Sequence, residues 1–404
     1  MSMILAGGAS TNSRAHRPLP PGAVSARTLE TRGITERVEF VYEDGRISQQ
    51  DLLTWVVGQH GCLWGSNLLQ RDRWTPHMPH PIAVAATGLP DMPGSYGHAA
   101  EYALANELGQ ALAGVFPSDD LACRFYQSGG EALAAAARLA RHKTNRLYVA
   151  SSGYHGAGAE WSHLPNISGI PTPVYSLHSR LEWGDTEQLR KLAHKAACSC
   201  VEVPALDDDA AIAAFLRECR LACDRGGAVF ILDEVVTGLR LGLTGAAGRY
   251  GVKPDIACYG KSLSATGCVS AIVGLRELVE PIGQKDGPFF STTFGGSPGP
   301  CAVAAATVHW LREHPEAFAH IAHIGALLKD GYNALGVPCV GQPGRSVFAF
   351  DTDREWLAFC SDMISRNVMV HRPNFPVLVH TEQHVTDTLA AAKEAIAAIR
   401  IGVA

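Results

Sequence analysis

The chain has 404 residues, 47% apolar and 18% charged, with a formal net charge of −5 at neutral pH. That length carries a large buried core, ordinarily as two domains or as one large domain with a smaller one. The acidic balance offers no basic stripe, and no apolar run approaches the roughly eighteen residues of a membrane span, so neither a nucleic-acid partner nor a membrane is expected.

The opening residues Met1 to Ala6 have no basic start and too short an apolar stretch for a secretory leader, so the cytoplasm is the expected compartment. Residues 1–22, rich in Gly, Ala, Ser and Pro, read as a loose arm. From Glu36 to Ile47 apolar and polar residues alternate around Glu43-Asp44-Gly45, which predicts a hairpin. After about residue 97, helical stretches such as Ala99–Leu112 and Glu131–Lys143 alternate with β-rich runs such as Arg146–Ala150 and Ala228–Leu232. This alternation predicts an α/β fold built of β-α-β units on a mainly parallel sheet flanked by helices. Beyond Pro298 a long Ala-rich helix is expected, then a helix over Ala317–Leu335. Short strands near Val347–Phe350 and Val377–Val379 and a final helix over Val385–Ile399 complete the chain. The expected organisation is an N-terminal part of a small α+β domain (23–75), a large domain (76–310) and a C-terminal part of the small domain (311–404).

Eleven cysteines, an odd number, lie scattered through core-like sequence and read as reduced thiols. Cys198 with Cys200 and Cys219 with Cys223 lack the C-x-x-C spacing of zinc sites, and the seventeen histidines include no H-E-x-x-H, so no metal is expected.

The strongest chemical signal is Ala228-Val229-Phe230-Ile231-Leu232-Asp233-Glu234. Five apolar residues fit a strand buried on both faces, with two carboxylates at its C-terminal end, where open α/β sheets bind ligands. A buried acid there needs a partner. Downstream, Ile256-Ala257-Cys258-Tyr259-Gly260 runs directly into Lys261. Only eight lysines stand against twenty-six arginines, so lysine is not this chain's general-purpose cation. A desolvated lysine can lose its proton and form a Schiff base, which arginine cannot; a surface lysine is the plainer alternative. Ser128-Gly129-Gly130-Glu131, before an Ala-rich stretch, is either an anion-binding helix entrance or a simple helix-entry turn. Ser152-Gly153-Tyr154-His155-Gly156 places a ring and an imidazole in a turn, for stacking on a planar cofactor or for packing.

In this order, over roughly residues 20–400, these segments resemble the class III aminotransferases of the fold type I pyridoxal-phosphate enzymes, in the branch containing glutamate-1-semialdehyde aminomutase. Ser128-Gly129-Gly130-Glu131-Ala132 resembles the phosphate loop S-G-T/S-E-A. Tyr154-His155-Gly156 matches Y-H-G, whose tyrosine stacks on the cofactor. Asp233 to Arg240 resembles D-E-V-x-T-G-F-R, which implies Asp233 on the pyridinium nitrogen and Val235 on the ring face. Gly251 to Ile256 with Gly260-Lys261 resembles G-V-x-P-D-x…G-K, which makes Lys261 the Schiff-base residue. Phe290 to Gly296 contains T-F-G-G, which implies that Thr293 reaches the phosphate of a neighbouring subunit in a homodimer with shared active sites. His380-Thr381-Glu382 resembles the family's A-H-T-E. The resemblance implies pyridoxal 5'-phosphate as cofactor, a small amine or carbonyl as substrate, Lys261 and Asp233 as catalytic residues, and Ser128, Gly129, Gly130, Tyr154, His155, Val235 and Thr293 as cofactor-binding. Arg27, Trp64, Ser95 and Glu202 are its candidates on the substrate side.

The departures are specific. Gly130 replaces a hydroxyl residue, Ser297 an asparagine, and Ser262 to Cys268 lacks a glycine triplet. Asn374-Phe375-Pro376-Val377 is shorter than the aminomutase segment and lacks its glutamate. Aminotransferase chemistry is the leading expectation; an intramolecular aminomutase, a racemase-like carbanion reaction and an inactive cofactor-binding relative stay open.

Overall fold

The computed structural model describes residues 19–32, 34–55, 99–161, 167–264 and 268–402. At the N-terminus β1 (Ala23–Arg32), β2 (Thr35–Tyr42) and β3 (Ile47–Thr54) form an antiparallel meander. The hairpin turns at Glu43–Arg46, where Gly45 takes φ 81°, a backbone conformation suited to glycine. β1 had no counterpart among the predicted strands. The expected arm lies outside the described residues except for 19–22, and Trp64 and Ser95 lie outside them altogether.

The helix α1 (Ala99–Ala111) precedes the central sheet. That sheet has seven strands: β4 (Leu121–Tyr126), β5 (Tyr148–Ser152), β6 (His178–Arg180), β7 (Ala196–Glu202), β8 (Val229–Glu234), β9 (Ile256–Tyr259) and β10 (Ser270–Leu275). Their order is β4-β10-β9-β8-β7-β5-β6. Pairings from β6 to β9 are parallel, whereas β10 runs antiparallel to both β9 and β4. The sheet is therefore mainly parallel and flanked by helices, as the β-α alternation predicts. Each β8 residue is buried, and the side-chain period of two divides them between faces. Val229 and Ile231 join the core under α2 (Gly129–Thr144); Phe230 and Leu232 join the opposite core with α4 (Asp209–Gly226), beside the shorter α3 (Thr186–Ala193). The same parity puts Asp233 on the α2 side and Glu234 on the other.

After α5 (Gly245–Tyr250) come α6 (Pro298–Glu313) and α7 (Glu316–Ala334), close to the bounds expected. The C-terminal segment adds β11 (Cys339–Gln342), β12 (Arg345–Phe348), α8 (Asp353–Ser365), β13 (Val368–Met369), β14 (Pro373–Asn374) and α9 (Glu382–Gly402). β11, β12 and β14 form a third sheet, and β13 pairs parallel with β3, so the two ends of the chain share a sheet. Trp55 ties them further: it stacks on His380 at 3.9 Å and donates to Thr388 at 2.9 Å. Val377–Val379 is a turn, not the expected strand. The His380 ring accepts the Val377 N–H at 3.0 Å, and the His380 N–H returns to the Val377 carbonyl. Among the described residues no helix is long and apolar enough to cross a membrane.

Candidate active site

The parallel strands β5, β7, β8 and β9 end at one edge of the central sheet, and in-register pairing sets Glu202 beside Asp233 and Asp233 beside Cys258. Asp233 has the partner its burial demands. His155 Nδ1–H donates to Asp233 Oδ2 at 2.7 Å, with both side chains almost wholly buried, and the Val235 N–H donates to Oδ1 at 3.0 Å. His155 Nε2 is buried with no hydrogen-bond partner, and its ring lies 5.1 Å from Trp161. Tyr154, the preceding residue, is 52% exposed.

The helix α2 begins at the same edge. The Ser128 hydroxyl accepts the Glu131 N–H at 3.3 Å, and the Glu131 carboxylate accepts the N–H groups of Gln127 and Ser128. This reciprocal cap leaves the first-turn N–H groups of Gly129 and Gly130, which have no intrahelical acceptor, facing outward. Gly129 and Gly130 thus form the helix's own first turn, and not a linker ahead of it. Packing here leaves no room for larger residues. A Cβ on Gly129 would meet Val235 Cγ1 at 2.8 Å, and one on Gly156 would meet Gly130 Cα at 2.9 Å.

Lys261 follows β9 and the extended Gly260, with its own backbone at φ 45°, a region that non-glycine residues rarely occupy. Burial depresses its ammonium below the usual lysine range. Asp233 and Glu202 oppose that shift, while Arg345 and Arg240 reinforce it. An amine so placed is closer to its nucleophilic form than a solvated one.

Three residues at this edge, Glu234, Arg240 and Arg345, carried no predicted role. Glu234 accepts the N–H groups of Ala246 and Ala247 at 3.0 and 2.8 Å and the Thr237 hydroxyl, anchoring the start of α5; burial pushes its carboxyl up to about 7. Arg240, buried over the Phe375 ring, donates to the carbonyls of Gly344 and Pro376 at 3.1 and 3.0 Å. Arg345, at the start of β12, donates to the Val203 carbonyl and, at 3.2 Å, to Glu202 Oε1. Glu202 Oε2 accepts the Tyr154 N–H at 2.8 Å. Arg240 stood inside a quoted motif without an assigned role. Arg345 had no local signal, because its partner lies 143 positions away.

The structure thus brings Ser128, Gly129, Gly130, Tyr154, His155, Glu202, Asp233, Val235 and Lys261 to one edge. Thr293 lies apart, exposed on the loop before α6, close to the exposed rings of Phe289 and Phe294. That loop borders a cleft of about 610 Å³ shared with α1 and β4. Arg27 sits on β1 opposite Glu39, in the N-terminal meander and not in the central sheet.

The profile of the family described as "Aminotransferase class-III" matches residues 208–340. Glutamate-1-semialdehyde 2,1-aminomutase of Thermus thermophilus is 30% identical over 337 residues, covering 73% of this chain and 78% of that protein. The enzyme of the same name from Roseiflexus castenholzii is 28% identical over 364 residues, covering 80% and 83%. Among solved structures, an omega-transaminase from Sphaerobacter thermophilus superposes with a TM-score of 0.74 at 20% identity, covering 96% of this chain and 94% of its own. A transaminase solved with PLP bound gives 0.75 at 18% identity, covering 97% and 95%.

Proposed function

The chain belongs to the class-III aminotransferase family, and on that premise we propose that it moves an amino group between an amino donor and a carbonyl substrate, with Lys261 as the residue that holds the cofactor covalently. It is a pyridoxal-phosphate-dependent enzyme of the aminotransferase or aminomutase kind. The observation that carries the reading is the meeting of a desolvated Lys261 amine with the buried Asp233–His155 pair at one sheet edge.

The residues present fit pyridoxal phosphate. A cradle that a Cβ would fill, at Gly129 and Gly156, adjoins outward N–H donors, and a buried carboxylate stands at the neighbouring strand end. When bound, the cofactor supplies a conjugated electron sink for the carbanion left as a substrate Cα–H bond breaks. The N–H groups of Gly129 and Gly130, the Ser128 O–H and the α2 dipole would hold the phosphate dianion. Asp233 keeps one Oδ2 lone pair on His155 Nδ1–H and has another with which to hold a pyridinium N–H. Val235, lodged against Gly129 and within reach of Gly260, would support one ring face, and Tyr154 would cover the other. Lys261 Nζ, whose ammonium form burial disfavours, would hold the cofactor covalently and serve as the base for the substrate Cα proton. His155 fixes the orientation of the Asp233 carboxylate.

Aminomutation is the second reading, favoured by the names of the relatives at 30% and 28% identity. Release of a keto acid from an amino donor distinguishes transfer from conversion of one substrate without a donor. We place the enzyme in the cytoplasm and propose a homodimer in which Thr293 serves the partner's site; the exposed Phe289 and Phe294 beside it support that assembly.

Purified protein supplied with pyridoxal phosphate is expected to show a visible absorbance band that Lys261→Ala abolishes and that productive amines bleach. Cofactor-saturated protein without such a band would sink the proposal.

A further inference from the structure

We infer that the cleft beside Glu202, at the ends of β5, β6 and β7, takes the tail of the substrate, and that this tail is a chain of hydroxylated carbons. The inference rests on the reading above, in which Lys261 is the reacting end of the site. Glu202 belongs to both places: it acts on the Lys261 amine, and it lines a cleft of about 360 Å³. Gly153, where a Cβ would meet Glu202 Cβ at 2.5 Å, also lines the cleft and leads directly into Tyr154.

The wall formed by the segment after β6 is held in place. The Gln188 side chain accepts the Glu182 N–H at 2.8 Å and donates to the Arg180 carbonyl at 3.0 Å, and the Leu181 N–H reaches the Ser151 carbonyl at 2.8 Å. Trp183 borders the cleft and packs on Phe215, with ring centroids 4.5 Å apart. Ser152, at the end of β5, lines the cleft and is only 7% exposed. Its hydroxyl has no hydrogen-bond partner among the described residues. A polar group so nearly buried is costly to leave unpaired, and a ligand entering the cleft can complete it.

The lining selects the chemistry of the tail. Arg180 and Glu182 pair at 2.9 Å, and Glu202 is paired with Arg345. The charges therefore cancel in pairs, and no net field draws in an ammonium or a carboxylate. The walls still offer guanidinium donors and carboxylate acceptors, with a serine that can do both. An alkyl tail would cover those groups and return no hydrogen bond. A hydroxyl donates and accepts, so successive hydroxyls along a carbon chain meet both kinds of wall, while the C–H groups between them can rest on the indole.

Glucamine, hydroxylated along its length, and hexylamine, its bare counterpart of equal carbon number, are the probes, each titrated into enzyme loaded with pyridoxal phosphate. The readout is the amine concentration that converts half of the visible band. Glucamine should need about ten-fold less than hexylamine, the scale of one or two net hydrogen bonds. In Ser152→Ala and in Glu182→Ala that ratio should fall by about three-fold or more. General damage to the site would shift both amines together and leave the ratio unmoved. Equal or better conversion by hexylamine in the wild type would overturn the inference, as would a ratio that neither variant moves. A larger gain for hexamethylenediamine than for glucamine would make the tail an ammonium and overturn it as well. A missing visible band in the wild type would instead overturn the cofactor role of Lys261, on which the inference stands.

Discussion

A methyl group on Gly129 would press on Val235 at 2.8 Å, and Val235 in turn lies 3.3 Å from where a Cβ on Gly260 would stand. One side chain is therefore wedged between the helix start proposed to hold the phosphate and the strand end that leads to Lys261. Gly129→Ala is expected to cost about 1–3 kcal/mol, the usual range for overpacking. Adding Val235→Ala should return most of it, because both clashing methyl groups leave. Thermal unfolding of the two single variants and the double variant tests this; a Gly129→Ala protein as stable as wild type would contradict it. At this scale much was legible. Lys261 stood out because an ammonium rarely follows a buried strand, and Asp233 because a buried carboxylate needs a partner. That the partner is His155 was not legible, since the turn after β5 and the end of β8 meet only through the sheet. Arg345 was invisible for the same reason.

Among the elements, α5 owes its start to Glu234. Two of its first N–H groups end on that carboxylate, so the strand that presents Asp233 on one face anchors a helix from the other. Burial raises the Glu234 carboxyl from an ordinary 4.5 to about 7. A group whose folded pKa is raised holds its proton more tightly in the folded chain. Its contribution to stability is therefore full below about 4.5 and is lost as pH rises through about 7. Relative to Glu234→Gln, wild-type stability should decline across that window by about 3 kcal/mol at most. Denaturant unfolding at several pH values checks the sign, and a difference that grows with pH would refute it. Strand β8 was readable because burial on both faces makes a continuous apolar run. Val377–Val379 carries the same apolar signal and is a turn, because His380 reaches back to its backbone. The two-residue strands β13 and β14 exist only through their partners, and no local pattern announces them.

For the molecule as a whole, the C-terminal sheet reaches the candidate site through Arg345 on Glu202, and the central sheet carries the buried Asp233–His155 pair. β13 on β3 and Trp55 on His380 join the two chain ends, and Arg240 fastens the C-terminal turn to the central sheet. The segment bearing Thr293 takes no part in this: it presents its threonine and two aromatic rings outward beside the cleft along α1 and β4. Light scattering is accordingly expected to give twice the 43.0 kDa chain mass. Thr293→Ala should weaken retention of pyridoxal phosphate while leaving that mass unchanged. A monomer that binds the cofactor as tightly as the dimer would remove the shared-site proposal.

The left-handed backbone of Lys261 has an evolutionary consequence. Such a conformation costs a residue with a Cβ roughly 1–2 kcal/mol, a cost glycine escapes. Random change at this position therefore has a downhill direction in stability, toward a glycine that would leave the fold more robust and without its amine. On the role proposed for Lys261, selection for its amine is what opposes that drift.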